Sequence, residues 1–97
     1  MKNKEVIINF LNGKSAKTKN LKSDGVTLIS YNTAIATHYP IGVIVNNTKY
    51  SSSTSRIQSN LKSQLTIYNL NIVNIDNLGY NLNRNELIQA SNEAFKS

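Results

Sequence analysis

The stretch SDGVTLISYNTAIATHYPIGVIVNNTKY, residues 23–50, is dense in β-branched and aromatic residues and contains two turn signals. An Asp-Gly pair at 24–25 is typical of a two-residue hairpin turn. Proline and glycine occupy the second and fourth positions of residues 39–42, as in a β-turn. Residues 26–39 carry apolar side chains on both faces, which predicts a central strand that is bent or bulged near residues 31–32. The pattern predicts three antiparallel strands by residue 50.

The N-terminal segment has the periodicity of a short amphipathic helix over residues 4–12. Gly13 follows as the expected C-terminal stop. The residues that share the apolar face of this helix are Val6, Ile7, Phe10 and Leu11.

The hydroxyl-rich run after Tyr50 leads into a second amphipathic helix. Its apolar residues recur at positions 57, 61, 65 and 68, which is helical spacing. Ser55 precedes Gln58 by three residues, the pattern of a capping box in which each side chain satisfies the other residue's backbone N–H. The sequence therefore predicts a strand-to-helix connection with Ser55 as the N-cap.

The C-terminal part of the chain predicts a further strand at residues 70–76 and a last helix. Asn83 and Glu86 have the spacing of an N-cap and its capping-box partner, and Leu82 and Leu87 that of a hydrophobic staple. The side chains expected to face the core from this helix are Leu87, Ser91, Ala94 and Phe95.

These elements predict one small α+β domain that covers residues 1–97. We expect a three- to four-stranded antiparallel sheet with helices packed on one face. The other face of the sheet would then remain available to solvent or to a partner.

Charge and composition limit the kind of protein. The chain has no cysteine, which excludes thiolate nucleophiles and suits a reducing compartment. The net charge is +6, and residues 1–22 hold six lysines against a single glutamate. This asymmetry suggests a polyanion or an acidic protein surface as partner, and the alternative is a solvated lysine face that only maintains solubility.

The sequence has neither a signal-peptide pattern nor a membrane-spanning run, so we expect a cytoplasmic protein with no membrane partner.

Catalytic and metal-binding chemistry have few residues to use. A hydrolase triad would need His38, the single histidine, to lie beside a serine and a carboxylate such as Asp24. The sequence also lacks the glycines of a nucleophile elbow. The carboxylates are scattered at no metal-ligand spacing, and the four glycines are too far apart to form a phosphate-cradling loop. We therefore expect no enzyme activity, no cofactor and no metal site.

The residues around the hydroxyl-rich run are better suited to binding an anion. Arg56 is placed in the first turn of the predicted helix, where the macrodipole disfavours a cation unless an anion lies nearby. Helix-start N–H groups, hydroxyls and a guanidinium together suit a phosphate or carboxylate. The alternative is that Ser55 is only a cap and Arg56 points to water. With the lysines, the candidate partner- or anion-binding residues are Lys14, Lys17, Lys19, Lys22, Lys49, Tyr50, Ser53, Thr54, Ser55 and Arg56.

The tyrosines allow two interpretations. Tyr31, Tyr39 and Tyr50 fall on predicted strands, and on an open sheet face aromatic rings beside lysines can stack on nucleic-acid bases. More often such tyrosines pack a sheet against its helices. We favour packing, most clearly for Tyr68 on the apolar face of its helix.

The segments LKSDGVTLISYNTAIA and VNNTKYSSSTSRIQSNL resemble a group of small proteins carried by phages and other mobile elements. The shared pattern, SYxTxIA followed by TKYSxxTSxxQ, is a tyrosine strand, a hydroxyl-rich turn and a helix containing glutamine, within residues 10–65. In this chain it maps onto Ser30, Tyr31, Thr33, Ile35, Ala36, Thr48, Lys49, Tyr50, Ser51, Thr54, Ser55 and Gln58. The turn of the group is commonly richer in threonine than SSSTS. The resemblance implies the setting of a phage accessory gene, many of which disable host defences, and no established activity.

Two function classes follow. The first is a non-catalytic phage accessory protein that binds a host protein or nucleoprotein complex in the host cytoplasm, as an anti-defence inhibitor of the anti-CRISPR type would. The second is a basic nucleic-acid-binding protein that acts on DNA or RNA through its lysine-rich N-terminal region. Charge favours the second, because inhibitors that mimic nucleic acid are usually acidic. Small size, the resemblance and the lack of a base-reading motif favour the first, which we expect.

Overall fold

The computed structural model describes residues 2–40 and 42–96, except for the side chains of residues 95 and 96. Within this part of the chain the fold is α+β, as the sequence predicts. In chain order the elements are α1 (Asn3–Leu11), β1 (Ser15–Lys17), β2 (Leu21–Asp24), β3 (Thr27–Ser30), β4 (Thr33–Tyr39), β5 (Gly42–Asn46), α2 (Ser52–Tyr68), β6 (Ile72–Ile75) and α3 (Arg84–Lys96). None of the described helices is long and apolar enough to cross a membrane.

The sheet is larger than predicted, and it is mixed. Its order is β1-β2-β3-β4-β5-β6, so the expectation of three to four antiparallel strands is wrong in both number and direction. The first five strands pair antiparallel with their neighbours in the chain. β6 pairs parallel with β5, because the intervening α2 is a helical crossover that returns the chain to the same end of the sheet.

A tight turn divides the long strand that was predicted for residues 26–39. β3 and β4 are joined by Tyr31 and Asn32, whose φ angles are 48° and 70°. Ser30 pairs with Thr33 across this turn. Two consecutive residues at positive φ are the mark of a type I′ turn, whose twist matches that of a hairpin. The predicted bend is therefore a complete reversal of the chain, and it adds a strand.

The other predicted turns lie at or next to the predicted positions. β2 and β3 form the predicted hairpin, but its two turn residues are Gly25 and Val26, one position later than predicted, because Asp24 belongs to β2. The Asp24 carboxylate accepts hydrogen bonds from the N–H groups of Val26 and Thr27 at 2.9 and 2.7 Å. Residues 39 and 42 pair across the β4–β5 connection. Ile41, within the turn predicted there, lies outside the described residues.

α1 and α2 cover one face of the sheet. All four apolar residues predicted to face the core from α1 are buried there, together with Ile57, Leu61 and Leu65 of α2. The core-packing prediction for Tyr68 is wrong. It lies at the C-terminal end of α2 with 37% of its surface exposed, and its hydroxyl accepts a hydrogen bond from Asn12 Nδ2 at 3.3 Å.

α3 packs on the opposite face, so the expectation of helices on one face only is also wrong. Leu87 of α3 is buried with Ala34 of β4 and Ile44 of β5. Along β5, Ile44 alternates with valines that face α1 and α2. The segment before α3 is tied to this part of the sheet, because the Leu82 carbonyl accepts a hydrogen bond from the N–H of Ala34 at 2.9 Å.

The predicted start of α3 is confirmed. Asn83 Oδ1 accepts a hydrogen bond from the N–H of Glu86 at 2.9 Å, and Glu86 Oε1 accepts one from the N–H of Asn83 at 3.2 Å, the reciprocal bonds of a capping box. Leu87 and Ser91 are buried as predicted, whereas Ala94 is exposed. The side chain of residue 95, also predicted to face the core, lies outside the described residues.

α2 begins one turn earlier than predicted, and the predicted cap at Ser55 is wrong. The N-cap is Ser51, whose Oγ accepts a hydrogen bond from the N–H of Thr54 at 3.2 Å. Gln58 is not a capping partner. It is buried, and its Nε2 donates to the carbonyl of Asn46 at 2.6 Å. A long-range hydrogen bond therefore uses the side chain that the local pattern assigned to the cap.

Replacing Ser51 with alanine is expected to lower the free energy of unfolding by about 0.5–2 kcal/mol, because the N–H of Thr54 loses its cap. Ser55→Ala makes the same chemical change at an exposed position within α2, and we expect it to change stability by less than about 0.5 kcal/mol. Urea unfolding followed by circular dichroism measures both variants. A cost at Ser55 with none at Ser51 would place the cap where the sequence predicted it.

Candidate functional site

A groove lies on the face of the sheet that α3 covers at β4–β6. Ile29 of β3 pairs with Ala34, which faces α3, and Lys22 and Lys17 continue this row across β2 and β1. The β1–β2 turn adds Lys19. Ile29 and the three lysines, together with residues 18, 20, 21, 31 and 32, line a groove of about 480 Å³, which we call the basic groove.

Electrostatics in the basic groove favour an anion. None of the described residues that line it is acidic. Lys17 and Lys22 lie directly opposite each other on paired strands, an arrangement in which like charges repel. The groove is therefore an electropositive surface, and clustered charge of one sign raises the local concentration of the opposite charge in general.

Tyr31 lies where the basic groove meets two further depressions. Its φ of 48° is rare for a bulky residue, and 50% of its surface is exposed. The ring is thus a surface feature of a tight turn, and the core-packing role that the sequence favoured for Tyr31 is wrong. Residues held in such conformations cluster at functional sites.

The second depression, of about 260 Å³, lies between α1, the β1–β2 turn and α2. Its polar residues include Asn20, Ser53 and Arg56. Arg56 lies in the second turn of α2, not in the first as predicted, because the helix begins at Ser52. The helix dipole acts mainly within the first turn, so the predicted electrostatic strain on Arg56 is weaker. The guanidinium adds positive charge on the α2 side of Tyr31.

The third depression, which we call the hydroxyl pocket, has a volume of about 190 Å³. None of the described side chains that line it is charged. It combines hydroxyl groups with tyrosine rings, and its lining residues are Ser30, Tyr31, Thr33, Tyr50, Ser51, Thr54, Tyr80 and Asn81.

Hydrogen bonds fix the shape of the hydroxyl pocket. The Tyr50 hydroxyl donates to the Gly79 carbonyl at 2.7 Å and accepts from Asn46 Nδ2 at 2.8 Å. On the opposite side, the N–H of Asn81 donates to Thr33 Oγ1 at 2.9 Å. The pocket is therefore built from β4, the β5–α2 connection and the segment before α3.

The structure brings seven of the ten predicted binding residues to these depressions, namely Lys17, Lys19, Lys22, Tyr50, Ser53, Thr54 and Arg56. Lys14 lies at the other end of the β1–β2 hairpin from its turn, and Lys49 and Ser55 are exposed without lining any of the three depressions. The residues of the hydroxyl run are divided between two depressions, because Ser53 and Arg56 line one of them and Thr54 lines another.

The lining residues that are not among the binding residues predicted from the sequence include Asn20, Ser30, Tyr31 and Tyr80. The sequence does indicate an exposed turn at Tyr31, because the asparagine that follows it tolerates the left-handed conformation of a tight turn. No sequence pattern indicates a role for Ser30 or Tyr80, because their neighbours in the pocket come from distant segments of the chain.

His38 has a structural role. Its Nε2 lies 2.6 Å from the Phe10 carbonyl oxygen, to which a protonated Nε2 donates, and the two rings stack with centroids 4.5 Å apart. These contacts hold α1 against β4. Among residues 2–40 and 42–96, no group of three or more His, Cys, Asp or Glu side chains is placed to hold a metal ion.

Asp24 is a carboxylate whose titration the fold changes. Burial acts to raise its pKa, but hydrogen bonds from the backbone N–H groups of Thr27 and Val26, with the charge of Arg84, outweigh burial and hold the pKa below its ordinary value of 3.8. Arg84 is oriented by donating from Nε to Thr37 Oγ1 at 3.0 Å. Because the folded-state pKa is lowered, the ionised carboxylate stabilises the turn above about pH 3.8 and this contribution is lost as the pH falls through the folded-state value. Asp24 thus has a structural role.

Residues 3–74 match the model of a protein family described as a family of unknown function (DUF8033). The chain belongs to this family. Searches of curated proteins and of solved structures gave no match. The part shared with the DUF8033 model runs from α1 into β6 and contains the basic groove, Tyr31 and Arg56. Tyr80 and α3 follow it, so the hydroxyl pocket is completed by residues beyond the DUF8033 match.

Proposed function

We propose that this DUF8033 protein is a non-catalytic protein that binds a single-stranded nucleic acid in the basic groove. The observation that carries this proposal is the convergence of Lys17, Lys19 and Lys22 on one groove that the exposed Tyr31 also lines. Single-strand sites combine a positively charged groove along the backbone with aromatic rings on which bases stack.

An acidic protein surface is the other partner that lysines attract. The aromatic residues favour nucleic acid, because Tyr31, Tyr50 and Tyr80 line the hydroxyl pocket, and Tyr31 also lines the basic groove. Lysines supply sequence-independent phosphate contacts, and tyrosine faces accept any base. The arrangement therefore supports binding with little sequence preference.

The resemblance to phage accessory proteins supports a more specific setting. In this proposal the strand belongs to a host nucleoprotein complex in the host cytoplasm, and the protein acts as an anti-defence inhibitor of the anti-CRISPR type. A net charge of +6 fits a protein that binds the guide or target strand of such a complex, and it does not fit an imitation of nucleic acid.

Replacing Lys17, Lys19 and Lys22 with glutamine is expected to remove most of the salt dependence of binding to a single-stranded oligonucleotide. Each phosphate contact adds about 0.7 to the slope of log K against log salt for a single strand, so losing three contacts should lower the slope by about 2. Fluorescence anisotropy titrations at several salt concentrations measure this slope.

The matched control replaces Lys4, Lys14 and Lys62, three exposed lysines outside the groove, so that both variants lose the same charge. We expect the control to keep the wild-type slope. Equal losses in the two variants, or a wild-type slope near zero, would overturn groove binding. If the protein is an anti-defence inhibitor, we expect the groove variant to lose inhibition of CRISPR interference in cells and the control variant to keep it.

A further inference from the structure

The hydroxyl pocket is a cavity whose size and chemistry differ from those of the basic groove. Its volume of about 190 Å³ is smaller than the roughly 300–1,000 Å³ of pockets that hold drug-sized ligands. No charged side chain lines it among the described residues, and burying a phosphate or carboxylate there would be costly. The pocket therefore suits a small uncharged group.

The aromatic walls of the pocket favour a planar ligand. The Tyr50 ring is fixed through two hydrogen bonds of its hydroxyl. The Tyr80 ring lies 5.1 Å from it between centroids, tilted by 58°, and Tyr80 is 73% exposed. One wall is thus held in place, and the other is an exposed ring beside the entrance.

The hydroxyls supply hydrogen bonds for the edge of such a ligand. Ser30, on the pocket wall, is 2% exposed, and its Oγ has no hydrogen-bond partner within the described part of the chain. Buried polar groups are rarely left unpaired without a reason such as a ligand. Thr33 Oγ1 accepts from the N–H of Asn81 and Thr54 Oγ1 from Ser51 Oγ, and a hydroxyl that accepts one bond can still donate its own proton.

We propose that the hydroxyl pocket binds one nucleobase of the strand whose phosphates lie in the basic groove, an inference that rests on the proposed function. A nucleobase is planar and uncharged, and its edge carries the donors and acceptors that hydroxyls recognise. Tyr31 lines both the groove and the pocket, so the two sites are adjacent. Proteins that bind single strands commonly splay a base out and stack it on an aromatic side chain.

The test compares an oligothymidine strand with an abasic strand of the same length and the same phosphates. Wild-type protein is expected to bind oligothymidine about five- to 150-fold more tightly, the range that stacking of a base provides. Tyr80→Ala, at an exposed position, is expected to lose about fivefold or more of this preference while its affinity for the abasic strand is unchanged. Ser30→Ala should lose part of the preference without loss of stability, because the Ser30 hydroxyl makes no hydrogen bond within the described residues.

Tyr68→Ala is the control, because Tyr68 lines neither the groove nor the pocket, and it should keep the wild-type preference. If neither strand binds with a salt dependence, the proposed function itself is wrong. If both strands bind but Tyr80→Ala and Ser30→Ala keep the wild-type preference, strand binding stands and the base pocket is overturned.

Discussion

Replacing Gln58 with alanine is expected to lower the free energy of unfolding by about 2–4 kcal/mol. Gln58 is buried in α2, and its Nε2 donates to the carbonyl oxygens of Asn46 and Thr48 at 2.6 and 3.0 Å. Alanine removes this donor from both carbonyls. A buried polar group left unsatisfied costs about 1–3 kcal/mol, and the bond to the Thr48 carbonyl, which is only partly buried, is expected to contribute at the lower end of that range. Urea unfolding followed by circular dichroism measures the loss.

The effect is expected to reach the site because the hydrogen bonds continue from Gln58 toward it. Asn46 Nδ2 donates to the Tyr50 hydroxyl, and Asn46 Oδ1 accepts from the N–H of Thr48 at 3.0 Å. Thr48 Oγ1 in turn accepts from the N–H of Leu78 at 2.9 Å. Gln58 therefore connects α2 to β5 and to the loop that precedes Tyr80.

Gln64→Ala in the same helix is the matched control, because it removes the same atoms from a partly exposed position. We expect it to change stability by less than about 0.5 kcal/mol. Equal costs at the two positions would mean that the loss at Gln58 comes from the helix itself, and the role of the long-range hydrogen bonds would have to be abandoned.

The elements predicted correctly are those whose determinants lie within a few residues. The apolar face of α1 and the capping box of Asn83 and Glu86 depend on spacing alone. The start of α2 does not. Gln58 has the spacing of a cap partner for Ser55, but the same side chain satisfies two carbonyls near the end of β5, and no local pattern shows which role is used.

The size of the sheet and the position of α3 depend on contacts between distant segments. The Tyr31-Asn32 turn lacks the glycine that usually marks a type I′ turn, so a bulge was the natural interpretation. The apolar residues on both faces of segment 26–39 did indicate that both faces of the sheet are covered. The same pattern fits a central strand and also a helix on the second face of the sheet.

The basic groove was partly predictable, because lysines close in sequence come to lie on neighbouring strands of one hairpin. Lys14 shows the limit, since nothing in the sequence separates it from the lysines that line the groove. The hydroxyl pocket could not be predicted. Ser30, Tyr50 and Tyr80 meet only because β6 and the loop that follows it return alongside β5.

Replacing Tyr31 with asparagine is expected to weaken strand binding by about 1–3 kcal/mol, or about five- to 150-fold, without lowering stability. The binding loss follows because the ring lies where all three depressions meet. Stability should hold or rise by up to about 1 kcal/mol, because asparagine tolerates the positive φ of 48° better than tyrosine. Anisotropy titration and thermal unfolding of the same preparation measure the two effects.

Two further variants show whether the ring itself is responsible. Tyr31→Phe keeps the stacking face and should bind nearly as well as wild type. Tyr68→Asn removes an exposed tyrosine that lies outside the three depressions, and its affinity should be unchanged. Residues at such φ values cluster at functional sites, which supports a binding role for the Tyr31 ring. If Tyr31→Asn is destabilised and binds like wild type, the ring serves packing, and the strand does not pass over it.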